Sequence, residues 1–247
     1  MLRVEGQPAF VLHARAYRET SLLLECLTRD HGRIGLVARG VRRERTRLPR
    51  GLLQPFQLLA LAWSGGGELA TLIQADAAAA PLSFAGDVLL AAIYVNELIV
   101  RLSGRGDPHQ QLFETYATCL ERMRSDASLA WALRRFERDL LAELGYGLKL
   151  THTADSDEDV VAEAAYSYDA DAGPSRVAPT KAGAPAQISP TVSGGALLAL
   201  AEDRLPDPDK LAELRRLMRR IIRQRLGGGI LNSWNLSLRT LDRDAAQ

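Results

Sequence analysis

The 247 residues are too many for one small module and suit two packed parts, and an apolar fraction of 47% with a charged fraction of 25% is ordinary for a soluble globular protein. The formal net charge of +1 conceals local asymmetry: basic residues crowd Arg29–Arg50 and Lys210–Arg225, while acids crowd Asp155–Glu163. Partners respond to local fields, so the near-zero total does not argue against a polyanionic ligand.

Membrane and secreted classes are not expected. The longest apolar run, Val88 to Val100, is broken by Tyr94, Asn96 and Glu97 and is too short to span a bilayer. Met1 to Gln7 lacks the basic-then-apolar pattern of a secretion signal. Cys26 and Cys119 stand alone in apolar surroundings, which predicts buried thiols in a reducing compartment.

In chain order, Ala9 to Tyr17 opens with the apolar run Ala9-Phe10-Val11-Leu12, and Ser21 to Thr28 is a second run. Arg29-Asp30-His31-Gly32 reads as a hairpin turn into a third strand, Ile34 to Ala38. Phe56 to Trp63 predicts a fourth strand, and Ser64-Gly65-Gly66-Gly67 turns the chain into a fifth, Glu68 to Ala75. Five short strands suit a small closed barrel, because closure removes exposed edges. The five-stranded oligonucleotide-binding (OB) barrel leads, with an SH3-like barrel left open by strand count.

Between the third and fourth strands lies Gly40-Val41-Arg42-Arg43-Glu44-Arg45-Thr46-Arg47-Leu48-Pro49-Arg50. Guanidinium groups at this density repel one another unless an anion sits among them. A polyphosphate releases condensed counterions as arginines replace them. The competing reading is a solvated charged loop.

From Pro81 the apolar period becomes helical. Helices are predicted over about 84–102, 108–124, 128–144, 193–201 and 208–226, with an irregular segment over about 150–190 carrying a short hairpin around Ala165-Tyr166-Ser167-Tyr168. The chain therefore reads as α+β: residues 1–80 an OB-fold barrel, and 81–247 an all-α domain with an irregular excursion.

No catalytic constellation survives inspection. His13, His31, His109 and His152 are scattered, without the spacing of a zinc site. The glycine runs at Gly65–Gly67 and Gly227–Gly229 lack the Gly-Lys-Ser/Thr ending of a phosphate-cradling loop. Asp155, Asp157, Glu158 and Asp159 lack the Gly and terminal Glu of a calcium loop. Neither an enzyme nor a cofactor is expected. Two features point instead to binding. A basic loop on a barrel suits nucleic acid held by charge and aromatic stacking, with Phe10, Tyr17, Phe56 and Trp63 as stackers, although each also suits a core. A doubled arginine, Arg134-Arg135, beside an apolar helix face suits pairing with a partner's carboxylates, although a solvated face also explains it.

An ordered set of segments then resembles the bacterial RecO family of recombination mediators. It comprises Phe10-Val11-Leu12, Tyr17-Arg18-Glu19-Thr20-Ser21, Gly32-Arg33, Val37-Ala38-Arg39-Gly40 and Leu53-Gln54-Pro55-Phe56, then Tyr94-Val95-Asn96-Glu97-Leu98 and Leu133-Arg134-Arg135-Phe136-Glu137. Leu144-Gly145-Tyr146-Gly147, Leu226-Gly227-Gly228 and Leu231-Asn232-Ser233 complete it. The resemblance implies an OB-fold followed by a helical domain and a cytoplasmic, nucleoid-associated protein without turnover. Such a protein binds single- and double-stranded DNA and anneals complementary strands. With RecR, and in some lineages RecF, it loads RecA onto DNA coated by single-strand-binding protein (SSB). Many members carry a four-cysteine zinc knob, whereas the equivalent segment here, Thr151-His152-Thr153-Ala154-Asp155, contains no cysteine, and no metal is expected.

On this reading Arg33, Arg39, Arg42, Arg43, Arg45, Arg47 and Arg50 hold DNA phosphates, and Arg216, Arg220 and Arg223 extend the path. Arg134, then Arg135, take the acidic tail of SSB. The alternatives are a sequence-specific or architectural DNA-binding protein, recognised by preference for one duplex site, and a protein scaffold that ignores DNA.

Overall fold

The computed structural model describes residues 3–42, 48–125, 128–177 and 191–237. The first strands are β1 (Arg3–Tyr17), β2 (Ser21–Thr28) and β3 (Gly32–Ala38), with β4 (Leu58–Ser64) and β5 (Ala70–Ala77) following a 3-10 turn at Arg50–Leu52. They close into a barrel in the order β1-β2-β3-β5-β4, with β1 antiparallel to β4. One pair, β3 with β5, is parallel, at Leu36↔Ala70 and Val37↔Thr71. This five-stranded Greek-key closure is an OB-fold and decides between the two barrels that strand count left open.

Period-two alternation fills the barrel. Ala9 and Val11 of β1, Leu22, Leu24 and Cys26 of β2, and Leu36 and Ala38 of β3 meet Leu59, Leu61, Trp63 and Leu72 in one core. Cys26 and Cys119 are both buried, as the sequence predicts, and neither is in a disulfide.

Packing divides the described residues into two compact units, one of residues 3–125 with 231–237, the other of 128–177 with 191–230. In the first unit, α1 (Gly86–Leu102), α2 (Gln110–Ser125) and α6 (Asn232–Ser237) accompany the barrel. Asn96, buried on α1, ties three elements together. Its Nδ2 donates to the Leu12 carbonyl of β1 at 2.8 Å, and Tyr116 of α2 donates its hydroxyl to Asn96 Oδ1 at 2.7 Å. Glu97 beside it accepts from the Asn232 and Ser233 backbone N–H groups, both at 2.8 Å, and from Ser233 Oγ at 2.5 Å. Those donors open α6, so a carboxylate from α1 satisfies its first free N–H groups.

The second unit holds α3 (Leu129–Glu143), α4 (Gly194–Ala201) and α5 (Pro208–Arg225). Ser128 caps α3 by accepting from Trp131 N, and Asp207 caps α5 by accepting from Lys210 N. The segment read as irregular contains a three-stranded antiparallel sheet, β7-β6-β8, formed by Ala165–Asp169 (β6), Gly173–Arg176 (β7) and Val192–Ser193 (β8). Tyr166 and Tyr168 of β6 enter one core with Leu141, Leu197, Leu214, Met218 and Ile221. Tyr166 OH accepts from Val161 N, and Tyr168 OH donates to the Lys149 carbonyl. Among the described residues no helix is long and apolar enough to cross a membrane.

Candidate nucleic-acid interface

The pairing register of β1 decides what the barrel shows to solvent. Val11 faces the core, the register with β2 shifts between Val11 and His13, and the core-facing position resumes at Ala14. Leu12 is thus the extra residue of a β-bulge, and one inserted residue moves every later side chain to the other face. His13, Arg15 and Tyr17 therefore stand outside. On the neighbouring strands the positions alternating with the core are Ser21, Leu23 and Glu25, then Arg33, Gly35 and Val37.

Helices cover one end of this outer face. Phe10 packs against Phe113 and Tyr116 with ring centroids 5.3 and 5.0 Å apart. The opposite end is open. There Tyr17, Arg18, Thr20, Ser21, Val37 and Arg39 line a cleft of about 670 Å³. Arg18 turns the chain with φ 52°, and its guanidinium carbon stands 5.3 Å from the Tyr17 ring centroid. Arg42 N donates to the Thr20 carbonyl at 3.0 Å, which brings the start of the basic loop to the same turn. Arg18, Arg39, Arg42 and Arg50 are exposed and have no carboxylate partner among the described residues. Arg43, Arg45 and Arg47 lie outside the described residues.

Arg33 differs from the other arginines expected to hold phosphate. Its side chain is 12% exposed, with Nη1 donating to Glu25 at 2.9 Å and Nη2 to the Ser103 carbonyl at 2.8 Å. Arg105, from the connection between α1 and α2, pairs with the same Glu25. Both glycines of β3 make room for these contacts. A Cβ on Gly32, which has φ +64°, would lie 2.0 Å from the Asp107 carbonyl oxygen, and one on Gly35 would lie 2.8 Å from that of Glu68. His13, Arg15, Glu25, Arg33 and Arg105 line a second cleft of about 390 Å³.

On α3, the two arginines expected to meet a partner's tail are placed differently. The Arg134 side chain is 8% exposed and pairs at 2.5 Å with Glu137, itself 1% exposed. Arg135 is nearer the surface at 17%, and pairs with the half-open carboxylate of Asp203 at 2.5 Å. On α5, Arg216 and Arg223 are exposed, whereas Arg220 donates to the Tyr168 carbonyl at 3.1 Å. Arg225 donates to the Ala170 carbonyl at 2.7 Å, pairs with Asp171 at 2.6 Å and stands 4.4 Å over the Tyr146 ring. Part of that basic face therefore fastens the small sheet.

Of the aromatic residues named as stackers, Phe10, Phe56 and Trp63 are buried at 7% exposure or less, while Tyr17 is half-buried at the open cleft. Arg15 and Arg18, exposed on this face, lie outside the basic run that the sequence singles out. The adjacency of Arg18 to Tyr17 was the available signal. The bulge that turns Arg15 outward depends on pairing and leaves no local mark.

The segment around Thr151–Asp155 does not suit a four-cysteine zinc knob. It has no thiolates, and its turn is closed internally: Thr153 N donates to the Glu158 carbonyl at 2.8 Å, and Glu158 N to Thr153 Oγ1 at 3.1 Å. Among the described residues no three His, Cys, Asp or Glu side chains gather where they could hold a metal ion.

An OB-fold barrel with an exposed arginine cluster at its open end, followed by a helical domain, defines a class of nucleic-acid-associated α+β protein. Comparison with known families narrows the class. The family model for "Recombination protein O N terminal" matches residues 1–81, and that for "Recombination protein O C terminal" matches 84–235. The DNA repair protein RecO of Xanthomonas euvesicatoria is 44% identical over 233 residues, covering 94% of this chain and 96% of that protein. Proteins of the same name from Stenotrophomonas maltophilia and Azoarcus sp. are each 42% identical, over 233 and 231 residues, covering 94% of this chain and 96% and 94% of their own lengths. The chain belongs to the RecO family of DNA repair proteins.

Proposed function

We propose that this protein is a non-enzymatic recombination mediator of the cytoplasm. It binds single- and double-stranded DNA, anneals complementary strands and, with RecR and in some settings RecF, promotes RecA loading onto SSB-coated single strands. The observation that carries the DNA-binding reading is the gathering of Arg18, Arg39 and Arg42 at the Tyr17 turn, exposed, as Arg50 also is, and without carboxylate partners among the described residues. Exposed guanidiniums retain their charge and contribute counterion release on meeting phosphate. Arg43, Arg45 and Arg47 of the same basic run are assigned the same role, and Arg216 and Arg223, exposed on α5, provide a second surface. Holding two strands on positive surfaces lowers their mutual repulsion, so pairing proceeds without covalent chemistry.

The acidic tail of SSB docks on the second unit. Its carboxylates compete with Asp203 for the planar fork of Arg135, a geometry suited to bidentate exchange. Arg134 supports that helix from within through Glu137. Annealing of complementary strands, with and without SSB, tests both assignments. Arg135→Ala is expected to fail only on SSB-coated strands. Arg134→Ala breaks the buried Arg134–Glu137 pair, and breaking a buried pair from one side costs about 3–5 kcal/mol of stability, so it is expected to lower the denaturation midpoint and anneal poorly on either template. Equal activity of Arg135→Ala and wild type on coated strands would remove the docking site from the account.

A further inference from the structure

We infer that the first unit carries a docking groove for a partner protein, one that takes an extended acidic segment with large apolar side chains close to its carboxylates. The groove, of about 830 Å³, lies between the bulge of β1, Phe56, Phe84 and one stripe of α1. Along that stripe Leu89, Ile93, Asn96 and Val100 follow at spacings of four, three and four, which is one face of a helix. Val95, Leu98 and Ile99 of the same helix are fully buried, whereas Leu89 and Val100 are half-buried and Ile93 is 38% exposed. The walls are fixed. Asn96, bonded to the Leu12 carbonyl and the Tyr116 hydroxyl, holds the floor. Phe56 has φ 68°, a left-handed conformation that a bulky aromatic residue rarely adopts. Pro55 beside it bridges Val11, and the Phe56 ring meets Phe84 edge-on at 5.4 Å. Walls held in this way stay apart without a ligand, so an occupant spends little of its binding energy on ordering them.

Charge selects the occupant. Glu97 is the only carboxylate among the described lining residues, and the N–H groups that open α6 already hold it. Arg101, on the rim, is exposed and has no carboxylate partner among the described residues. Through His13 and Val100 the groove adjoins the cleft that holds Arg15, likewise exposed and without such a partner. Positive charge therefore gathers where α1 ends. Arg101 follows Ile93 by eight residues on α1, about 12 Å at roughly 1.5 Å per residue. An extended chain covers that distance in about four residues at roughly 3.3 Å each. Carboxylates and apolar anchors of the occupant thus belong about four positions apart. A phosphate chain gains nothing from an apolar floor. A wholly apolar segment would desolvate the rim guanidinium without pairing it. A segment with both features satisfies floor and rim together.

The test measures binding of fluorescent peptides with both ends blocked, Asp-Asp-Ser-Ser-Leu-Phe and its reversed sequence, to the full chain carrying Arg135→Ala. That background removes the contact proposed on α3 from the measurement. One of the two orders is expected to bind. Adding Ile93→Glu should weaken it at least about tenfold, the loss of a buried anchor, and adding Ile93→Ala about fivefold. Adding Arg101→Glu should weaken it about tenfold and shift preference to the same peptide with lysines in place of aspartates, a swap that misfolding does not produce. Affinity for oligothymidylate should stay within about twofold in the Ile93→Glu variant. Binding of neither order, or equal binding with and without Ile93→Glu, would overturn the inference. Unchanged preference for aspartate in the Arg101→Glu variant would remove the rim from it and overturn the acidic assignment. A tenfold loss of oligothymidylate binding in the Ile93→Glu variant would also overturn it, giving the groove to nucleic acid.

Discussion

Three cases show how local context decides whether a polar group is available. Arg33 lies near the start of β3 and Arg39 just past its end, yet Arg33 is committed to Glu25 and a carbonyl while Arg39 is exposed. The sequence makes the density of positive charge legible but not the identity of the opposing charge. Glu25 sits on the neighbouring strand, and Arg105 reaches it from 80 residues away. Arg134 carries the same lesson. A doubled arginine beside an apolar face looks available until the helix turns one member inward onto Glu137. Cys26 is the third case. Burial in the barrel, with the Glu25 carboxylate adding to it, holds its thiol far above the ordinary value of 9.0. The folded state keeps this proton while the unfolded chain releases it, so stability is fully present below pH 9.0 and declines as the pH rises past it. Urea midpoints followed across that value should fall more steeply for wild type than for Cys26→Val, which has no thiol to ionise. Parallel slopes would show that Cys26 does not contribute.

At the scale of elements, the five barrel strands were readable because each is a short apolar run ended by glycine or a charged turn. Closure into a barrel is also expected from them, but the parallel β3–β5 pair through which they close is not, since it joins segments that are distant in the chain. The small sheet was legible only as a hairpin at Ala165–Tyr168. Its other strands, Gly173–Arg176 and Val192–Ser193, are too short and too rich in glycine, proline and serine to carry a period. Several segments that mark the family turn out to be junctions between elements. In Tyr94-Val95-Asn96-Glu97-Leu98, Asn96 satisfies the carbonyl of the bulge and Glu97 caps α6 at Asn232-Ser233. Glu97→Ala should therefore release α6 from α1. Losing hydrogen bonds to a charged acceptor costs about 1.5–3 kcal/mol, and amide exchange at Asn232 and Ser233 should accelerate while the barrel core stays protected. Unchanged exchange at those two amides would contradict the capping role.

For the molecule as a whole, the proposed grip on nucleic acid belongs to the first unit and the proposed contact with the protein coating it to the second. The near-neutral total charge permits this because the cations are clustered, with Arg18, Arg39, Arg42 and Arg50 exposed near the barrel and Arg216 and Arg223 exposed on α5. Which arginines remain available could be read only from the fold, because availability depends on where each carboxylate lands. The salt dependence of affinity for a mixed-sequence single strand tests the central claim most directly, comparing wild type with an Arg39→Ala/Arg42→Ala/Arg50→Ala variant. Each phosphate contact on a single strand contributes about 0.7 to the logarithmic slope. The triple variant should bind more weakly and show a slope shallower by about 2. An unchanged slope with unchanged affinity would mean that these exposed arginines do not hold phosphate, and would contradict the account.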